Sequence, residues 1–389
     1  MRLVPWLTAA LFSAATSLAW GAATVVPPGP DSQVVDVLPQ VTILRPAPRT
    51  TALTTGKAMP PEPTQASQLA RADIDTARRT GDARYWGRAQ TALGGWWDDP
   101  QAPADLMVLQ ATVQQGQHAF GAAQARLRQA LQAAPDNPQA WLTLATLLRL
   151  EGRYPDALAA CERVLGTGAG AALYGRACLT EVKSLQGAEV GEAWPTLLAQ
   201  ATQPAVQAWL LSLWGEHLER QGQPMEALQR YQQSLALQPD LYTALAQADL
   251  LLRQRRPSEA LSTLAASPDT DAVLLRRAHA QRLLNQPTWQ NLLGDVQARQ
   301  QALQRRGEDL TPHAREVALA ALWLQDDAAL AQRWAERNLT LQQESIDYWL
   351  ALESARRTGD RAAFTRWRKQ IDQIGLTDAR LPKAWTDAR

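Results

Sequence analysis

Histidine, cysteine and paired carboxylates carry most enzyme chemistry, and in this sequence they lack the spacings that such chemistry needs. The chain has 389 residues, of which 4 are histidine and 2 are cysteine. The histidines are scattered, and none has a partner at the helical spacing of a zinc site. No Gly-x-Ser-x-Gly nucleophile elbow occurs. The sequence therefore predicts a protein that is not an enzyme, with no catalytic residues, no metal site and no cofactor.

Two other patterns suggest chemistry but have simpler explanations. The aspartate pairs Asp98-Asp99 and Asp326-Asp327 fall where turns are expected, and there aspartate more often caps a helix. The stretch EGRYPDAL, residues 151–158, lacks the preceding strand and the Gly-Lys-Ser/Thr ending of a phosphate loop. A hydrolase with a dispersed active site stays an alternative, because catalytic groups meet in space.

Helices separated by a turn account for EGRYPDAL. Trp141, Leu144 and Leu148 recur at helical spacing and predict one amphipathic helix before it. Gly152 then permits the turn, and Pro155 lies in the first turn of a second helix, where its missing N–H costs little.

The N-terminus has the layout of a secretory signal peptide. Arg2 is followed by an apolar run from Leu3 to Leu18 and by small residues up to Ala23. A membrane anchor is the alternative, but the run is shorter than the roughly 20 residues that span a bilayer. We predict a signal peptide over residues 1–21, no membrane span after cleavage, and a periplasmic or secreted location.

Residues 22–66 are rich in proline and threonine, which predicts an extended linker. It contains the apolar, β-branched segment Val34–Leu44. This segment is either an arm that packs on its own domain or a strand or short motif offered to a partner. We predict a helical domain over residues 67–375 and a C-terminal tail over residues 376–389.

The helical domain repeats. The segments QGQPMEAL (residues 221–228) and QRRPSEAL (residues 254–261) match EGRYPDAL, and each places Ala-Leu at the same two positions. Small residues continue the period of about 34 residues in both directions, including Ala157, Ala227, Gly294 and Ala362. A helix pair of this length cannot bury its apolar stripes alone, so stacking of successive pairs is expected.

A period of this length with this content resembles the tetratricopeptide repeat. The residues that match its pattern in the clearest unit are Trp141, Leu144, Ala145, Leu148, Gly152, Tyr154 and Ala157. The resemblance implies an all-α, right-handed α-solenoid of about nine helix-turn-helix repeats. It also implies a non-catalytic scaffold that binds a protein or peptide on its concave face, which the first helix of each pair lines.

The resemblance carries the concave positions over to three units, and these residues form the predicted peptide-binding groove. They are Gln139, Leu142, Thr146 and Arg149, then Trp209, Ser212, Glu216 and Glu219, and finally Tyr242, Leu245, Asp249 and Arg253. In the solenoid, Cys161 and Cys178 fall on adjacent helices. They form either a disulfide, if the protein is exported, or two small buried apolar side chains.

Charge and aromatic content narrow the class of ligand. The formal net charge is +1 and no long block of one sign occurs, so a nucleic-acid partner is not expected. Of the 15 tryptophans, Trp96 and Trp97 lie near a turn and are expected to be partly exposed. They either cap the end of the stack or bind a saccharide or cell wall, which is the alternative function in the binding class.

Overall fold

Paired helices form nearly all of the described chain. The computed structural model describes residues 62–97 and 99–385. The predicted signal peptide, the segment Val34–Leu44 and nearly all of the linker lie outside them. The helices are α1 Pro63–Thr80, α2 Arg84–Ala92, α3 Ala104–Gly116, α4 Phe120–Ala133, α5 Pro138–Leu150, α6 Tyr154–Gly166, α7 Ala172–Leu185, α8 Ala193–Gln200, α9 Pro204–Arg220, α10 Pro224–Leu237, α11 Leu241–Arg253, α12 Pro257–Leu264, α13 Asp271–Leu283, α14 Trp289–Arg305, α15 Ala314–Trp323, α16 Ala328–Asn338, α17 Ser345–Thr358 and α18 Arg361–Ile374. These nine pairs confirm the predicted all-α solenoid.

Prolines and short polar side chains determine where the helices begin. Pro155 lies in the first turn of α6, as predicted. The side chain of Asn137 accepts a hydrogen bond from the Ala140 N–H at 3.0 Å and caps α5. Asp327 caps α16 by accepting from the Leu330 N–H at 2.8 Å, which confirms the expected role of that aspartate.

Each of the nine turns within a pair contains one residue with positive φ. In the third pair it is Gly152, at φ 70°, which confirms that this glycine forms a turn. Two backbone hydrogen bonds close the turn, from Gly152 N–H to Arg149 O and from Arg153 N–H to Leu148 O. The nine residues are Gly81, His118, Gly152, Gly187, Gly222, Arg255, Asn285, Asp326 and Gly359.

The core forms where helices meet through small side chains. Ala157 and Ala227 are fully buried, as the repeat pattern predicts. The pattern fails later in the chain, because Gly294 and Ala362 are exposed. Ala363 is the fully buried residue in the last pair. The repeat register therefore shifts in the C-terminal pairs, which corrects the uniform period.

The end of the domain contacts its middle. Residues 375–385, which we call the C-terminal segment, follow α18 and bury Leu376 and Leu381. Three backbone hydrogen bonds join this end of the molecule to the last residues of α5, α7 and α9: Gln343 N–H to Leu150 O (2.7 Å), Thr377 N–H to Leu185 O (2.8 Å) and Ala379 N–H to Arg220 O (2.9 Å). Carbonyls at a helix C-terminus have no partner within the helix, so these bonds satisfy them.

Candidate functional site

The first helices of the pairs surround two cavities. One has a volume of about 510 Å³ and is lined from α5, α9, α11, α13, α15 and α17, with eight arginines and five carboxylates; we call it the arginine cavity. The other, of about 680 Å³, is lined from α1, α5, α7, α9 and α11 and includes Trp209; we call it the tryptophan cavity. Arg149 and Tyr242 line both. Both volumes suit a small molecule or part of a peptide.

Eleven of the twelve residues predicted for the groove lie on these walls. The arginine cavity contains Arg149, Glu216, Glu219, Tyr242, Leu245, Asp249 and Arg253. The tryptophan cavity contains Leu142, Thr146, Trp209 and Ser212, with Arg149 and Tyr242 shared. Gln139 lies on neither wall, and its amide donates to Thr143 Oγ1 at 3.2 Å within α5. Ligand binding by these residues stays a prediction.

Several of these side chains hold repeats together. Leu142 is buried, and Ser212 is buried with its Oγ accepting from Thr243 Oγ1 at 3.0 Å. Glu219 is also buried and accepts from Tyr231 Oη at 3.0 Å, besides its ion pairs with arginines. The polar groups of Ser212 and Glu219 are thus already paired with neighbouring helices. Ligand binding by these three residues stays a prediction.

The two aromatic residues of the groove differ in availability. Tyr242 is 53% exposed and faces both cavities. Trp209 is half-buried, and its ring lies 5.9 Å from that of Tyr174, centroid to centroid. Tyr242 is therefore the more accessible of the two aromatic side chains, and Trp209 contributes to packing as well as to the wall.

Ion pairs of Arg149 connect the third pair with the fourth and ninth pairs. The Arg149 guanidinium lies 3.4 Å from Glu181 and 3.6 Å from Glu344, which precedes α17. Glu344 also pairs with Arg315 at 2.8 Å. Carboxylates from the fourth and ninth pairs thus share one arginine of the third, so the cavity wall is held in place from both sides.

Glu216 is the wall carboxylate with the most altered acidity. Burial, together with the nearby Glu181 charge, raises its pKa to about 7, although Arg220 and Arg149 act in the opposite direction. Its side chain is 13% exposed, and Arg220 lies 3.6 Å away on the same helix. Glu216 Oε1 accepts no hydrogen bond from the described residues. The wall therefore gains negative charge near neutral pH.

The later helices supply wall residues that the sequence did not reveal. Arg276 on α13 makes a bidentate pair with Asp249, at 2.7 and 2.6 Å. His279 stacks on Trp323 at 4.8 Å, and burial lowers its pKa to about 4, so the imidazole is neutral at pH 7. The repeat period points to such positions, but the register shift after α12 moves them away from the expected numbers.

One Ser–His pair comes close to a catalytic arrangement. Ser184 Oγ and His217 Nδ1 are 2.7 Å apart, but Ser184 is fully buried and also accepts from Arg220 Nε at 3.1 Å. Burial lowers the pKa of His217 to about 4. A substrate carbonyl has no access to this hydroxyl, so we interpret the pair as a buried polar contact between α7 and α9.

A disulfide joins Cys161 on α6 to Cys178 on α7, with the two Cα atoms 5.6 Å apart. Of the two possibilities that the sequence left open, the structure contains the bonded one. The bond links the third and fourth pairs and lies behind the tryptophan cavity, whose wall includes Cys178.

The two tryptophans considered for saccharide binding lie at one corner of the first two pairs. Trp96 and Trp97 are half-buried and pack with the core of the first two pairs. Gln110 Nε2 donates to the Trp96 carbonyl at 2.7 Å and fixes this corner. The large apolar side chains that are exposed in the described part of the chain are leucine, methionine and tyrosine. The side chains of Trp96 and Trp97 are thus partly exposed, as expected, and the saccharide alternative stays a prediction.

Within residues 62–97 and 99–385, no group of three His, Cys, Asp or Glu side chains could hold a metal ion. In the same residues no helix is long and apolar enough to cross a membrane.

Sequence models of the tetratricopeptide repeat match residues 115–178 and 213–273. No curated protein sequence matches the chain. Among solved structures, a human IFIT1 dimer with m7Gppp-AAAA is similar at 11% identity and a TM-score of 0.46, over 78% of this chain and 80% of that one. A tetratricopeptide repeat protein from Parabacteroides merdae is similar at 12% identity and a TM-score of 0.38, over 74% and 99%. The Cut9–Hcn1 complex of the APC/C is similar at 13% identity and a TM-score of 0.41, over 80% and 81%.

Proposed function

This chain is a tetratricopeptide-repeat protein, and from that premise we propose that it is a non-catalytic scaffold that binds an extended peptide segment of a partner protein inside the solenoid. The single observation that carries the proposal is that helices from many pairs line the same two cavities. Side chains from α5, α9, α11, α13, α15 and α17 converge on one cavity, and Tyr242 connects it with a second. A ligand there contacts many repeats at once.

The chemistry of the wall favours a peptide. Leu245, Ile346 and Trp349 offer apolar contacts, while both signs of charge lie between them. Peptides present apolar side chains and amide groups together, and interfaces with aromatic and arginine contacts suit them.

The test is selection of peptides from a random twelve-residue phage library on the immobilised protein, followed by fluorescence anisotropy with a labelled selected peptide. Tyr242→Ala should weaken binding at least about tenfold, because truncation of an exposed aromatic anchor removes its contact area. Since Tyr242 is 53% exposed, its loss should leave the circular dichroism spectrum and melting temperature unchanged.

Met225→Ala is the matched control, because Met225 is 56% exposed and lies on neither cavity wall. It should bind like the wild type. Failure to select any peptide, or equal binding by Tyr242→Ala, would show that the cavities are not the binding site.

We further propose that the protein works outside the cytoplasm. The signal-like layout up to Ala23 and the disulfide support this. Edman sequencing of the protein recovered from a periplasmic fraction should begin at Ala22 or Thr24. Recovery in the cytosol with Met1 intact would contradict export.

A further inference from the structure

One turn in the solenoid contains a residue that its backbone disfavours. The nine positive-φ positions are occupied by glycine in five pairs, and by His118, Asn285 and Asp326 in three, which are residue types that tolerate this conformation. The ninth is Arg255, at φ 60°. Arginine gains nothing from the left-handed region, because its Cβ crowds the following carbonyl.

The geometry of this turn is that of the glycine turns. QRRPSEAL places Arg255 where EGRYPDAL and QGQPMEAL have Gly152 and Gly222. Arg255 N–H donates to Leu252 O at 3.1 Å, and the next N–H donates to Leu251 O at 2.9 Å, as in the other two turns. Nothing in the turn itself requires an arginine, so the reason for it lies in its side chain.

That side chain lies on the wall of the arginine cavity, at an exposed position. Seven other arginines line this cavity, and each has a carboxylate within 4 Å: Arg149, Arg220, Arg253, Arg276, Arg315, Arg357 and Arg380. Arg255 makes no ion pair with any described residue. Among the arginines of this wall, its charge is therefore the one that no neighbouring carboxylate neutralises.

Charged and apolar side chains surround Arg255. Burial is the main reason for the lowered pKa of His279; the Asp249 carboxylate raises this pKa, whereas the charges of Arg282, Arg255 and Arg357 lower it. Arg282 and Arg357 are themselves paired with Asp326 and Glu353. Leu252 and Leu283 on the same wall give apolar contact beside the charge. This part of the wall thus combines the unpaired guanidinium of Arg255 with apolar side chains.

We propose that Arg255 binds an acidic side chain of the peptide that occupies the arginine cavity. This inference rests on the proposed function. Unfavourable backbone conformations persist where the side chain serves a site, and a free guanidinium pairs best with a carboxylate. A nucleic acid fits less well, because it presents a phosphate at every nucleotide and seven of the eight arginines on this wall are already paired with carboxylates.

The experiment uses three labelled twelve-residue peptides with leucine at every third position and glutamate, lysine or serine elsewhere, and it measures anisotropy with the full-length protein. The glutamate peptide should bind most tightly. Arg255→Gln should weaken it about fivefold to tenfold, the effect of losing one charge-assisted contact, and should leave the serine peptide unchanged. Arg256→Gln is the control, because Arg256 pairs with Glu259 and lines neither cavity.

Arg255→Gly adds a readout that does not depend on the ligand. It should raise the melting temperature by about 1–3 °C, because glycine relieves the left-handed conformation, while it weakens the glutamate peptide as Arg255→Gln does. A lower melting temperature, or unchanged binding of the glutamate peptide in both variants, would overturn the inference.

The outcomes separate the two proposals. If the serine or lysine peptide binds as tightly as the glutamate peptide, peptide binding stands and the acidic preference is wrong. If no peptide binds, the proposed function fails and this inference fails with it. Arg255-dependent binding of a twelve-residue uridine oligonucleotide that displaces the glutamate peptide would assign the site to nucleic acid instead.

Discussion

At the scale of single residues, small side chains determine how closely the helices approach. Ala157 and Ala227 are fully buried at helix contacts, where a larger side chain has no room. These positions were predictable because the pattern Ala-Leu recurs beside a turn. The exposure of Gly294 and Ala362 could not be predicted. The spacing of about 34 residues stays the same even where a helix is rotated so that a different residue faces the core.

Ala157→Leu should destabilise the protein by about 1–3 kcal/mol, because the added methyl and methylene groups overpack a filled contact. Ala159→Leu, on an exposed position of the same helix, should change the stability little. Urea denaturation followed by circular dichroism compares the two. Equal midpoints would mean that Ala157 does not lie at a close helix contact.

Glu216 makes stability depend on pH. Its pKa is about 7 in the folded protein against an ordinary 4.5. A raised pKa means that folding favours the protonated form, so its contribution is complete below about pH 4.5 and is lost as the pH rises through about 7. Glu216→Gln should therefore be more stable than the wild type at about pH 8, by about 1–3 kcal/mol, and similar at about pH 4.

Glu219→Gln, one turn further along α9, is the control of opposite sign. Its carboxylate is buried and satisfied by Tyr231 and Arg380, so the neutral variant should be less stable at about pH 8. Urea midpoints over this pH range test both. A pH-independent difference between Glu216→Gln and the wild type would contradict the ionisation of Glu216 within this range.

At the scale of helices, the repeat motif made the architecture predictable and the closing contacts unpredictable. Proline and glycine positions indicated helix starts and turns, and α5 and α6 begin and end near them. Eleven groove residues reach cavity walls because they share one helix face. The opposing wall from α13, α15 and α17 depends on superhelical curvature, which sums small rotations over many pairs and is not encoded locally.

The disulfide between α6 and α7 should stabilise the third and fourth pairs against each other. The two cysteines are 17 residues apart, and cross-linking such a loop is worth about 3 kcal/mol. Changing both Cys161 and Cys178 to alanine should lower the unfolding free energy by roughly 2–4 kcal/mol.

A thiol reductant should lower the stability of the wild type similarly and leave the double variant unaffected. Two reactive thiols in the unfolded, unreduced protein would show that the bond does not form.

At the scale of the whole molecule, the C-terminal segment adds contacts between pairs that are not neighbours in the solenoid. Arg380 pairs with Glu219 at 3.0 Å, although the two residues are 161 apart in sequence. Repeat proteins normally depend on nearest-neighbour interfaces alone. Here contacts of the C-terminal segment add a second set of bonds between the middle pairs and the end of the chain.

A chain ending at Gly375 should be less stable by at least about 3 kcal/mol, because Leu376 and Leu381 leave the core and the carbonyls of α7 and α9 lose their donors. The full-length chain is the reference. Native-state hydrogen exchange should also show faster exchange near Gly187 and Gly222 in the shorter chain. Identical exchange in the two chains would mean that the C-terminal segment does not stabilise the middle pairs.

The hydrogen bonds from Gln343, Thr377 and Ala379 also impose an order on folding. A simple solenoid can lengthen pair by pair as the ribosome releases it, since each pair needs only the one before. In this chain the last carbonyls of α5, α7 and α9 accept hydrogen bonds from residues that are synthesised much later. The early pairs must therefore persist with unsatisfied carbonyls and an open interior until translation is nearly complete, and forming such distant contacts slows the final step.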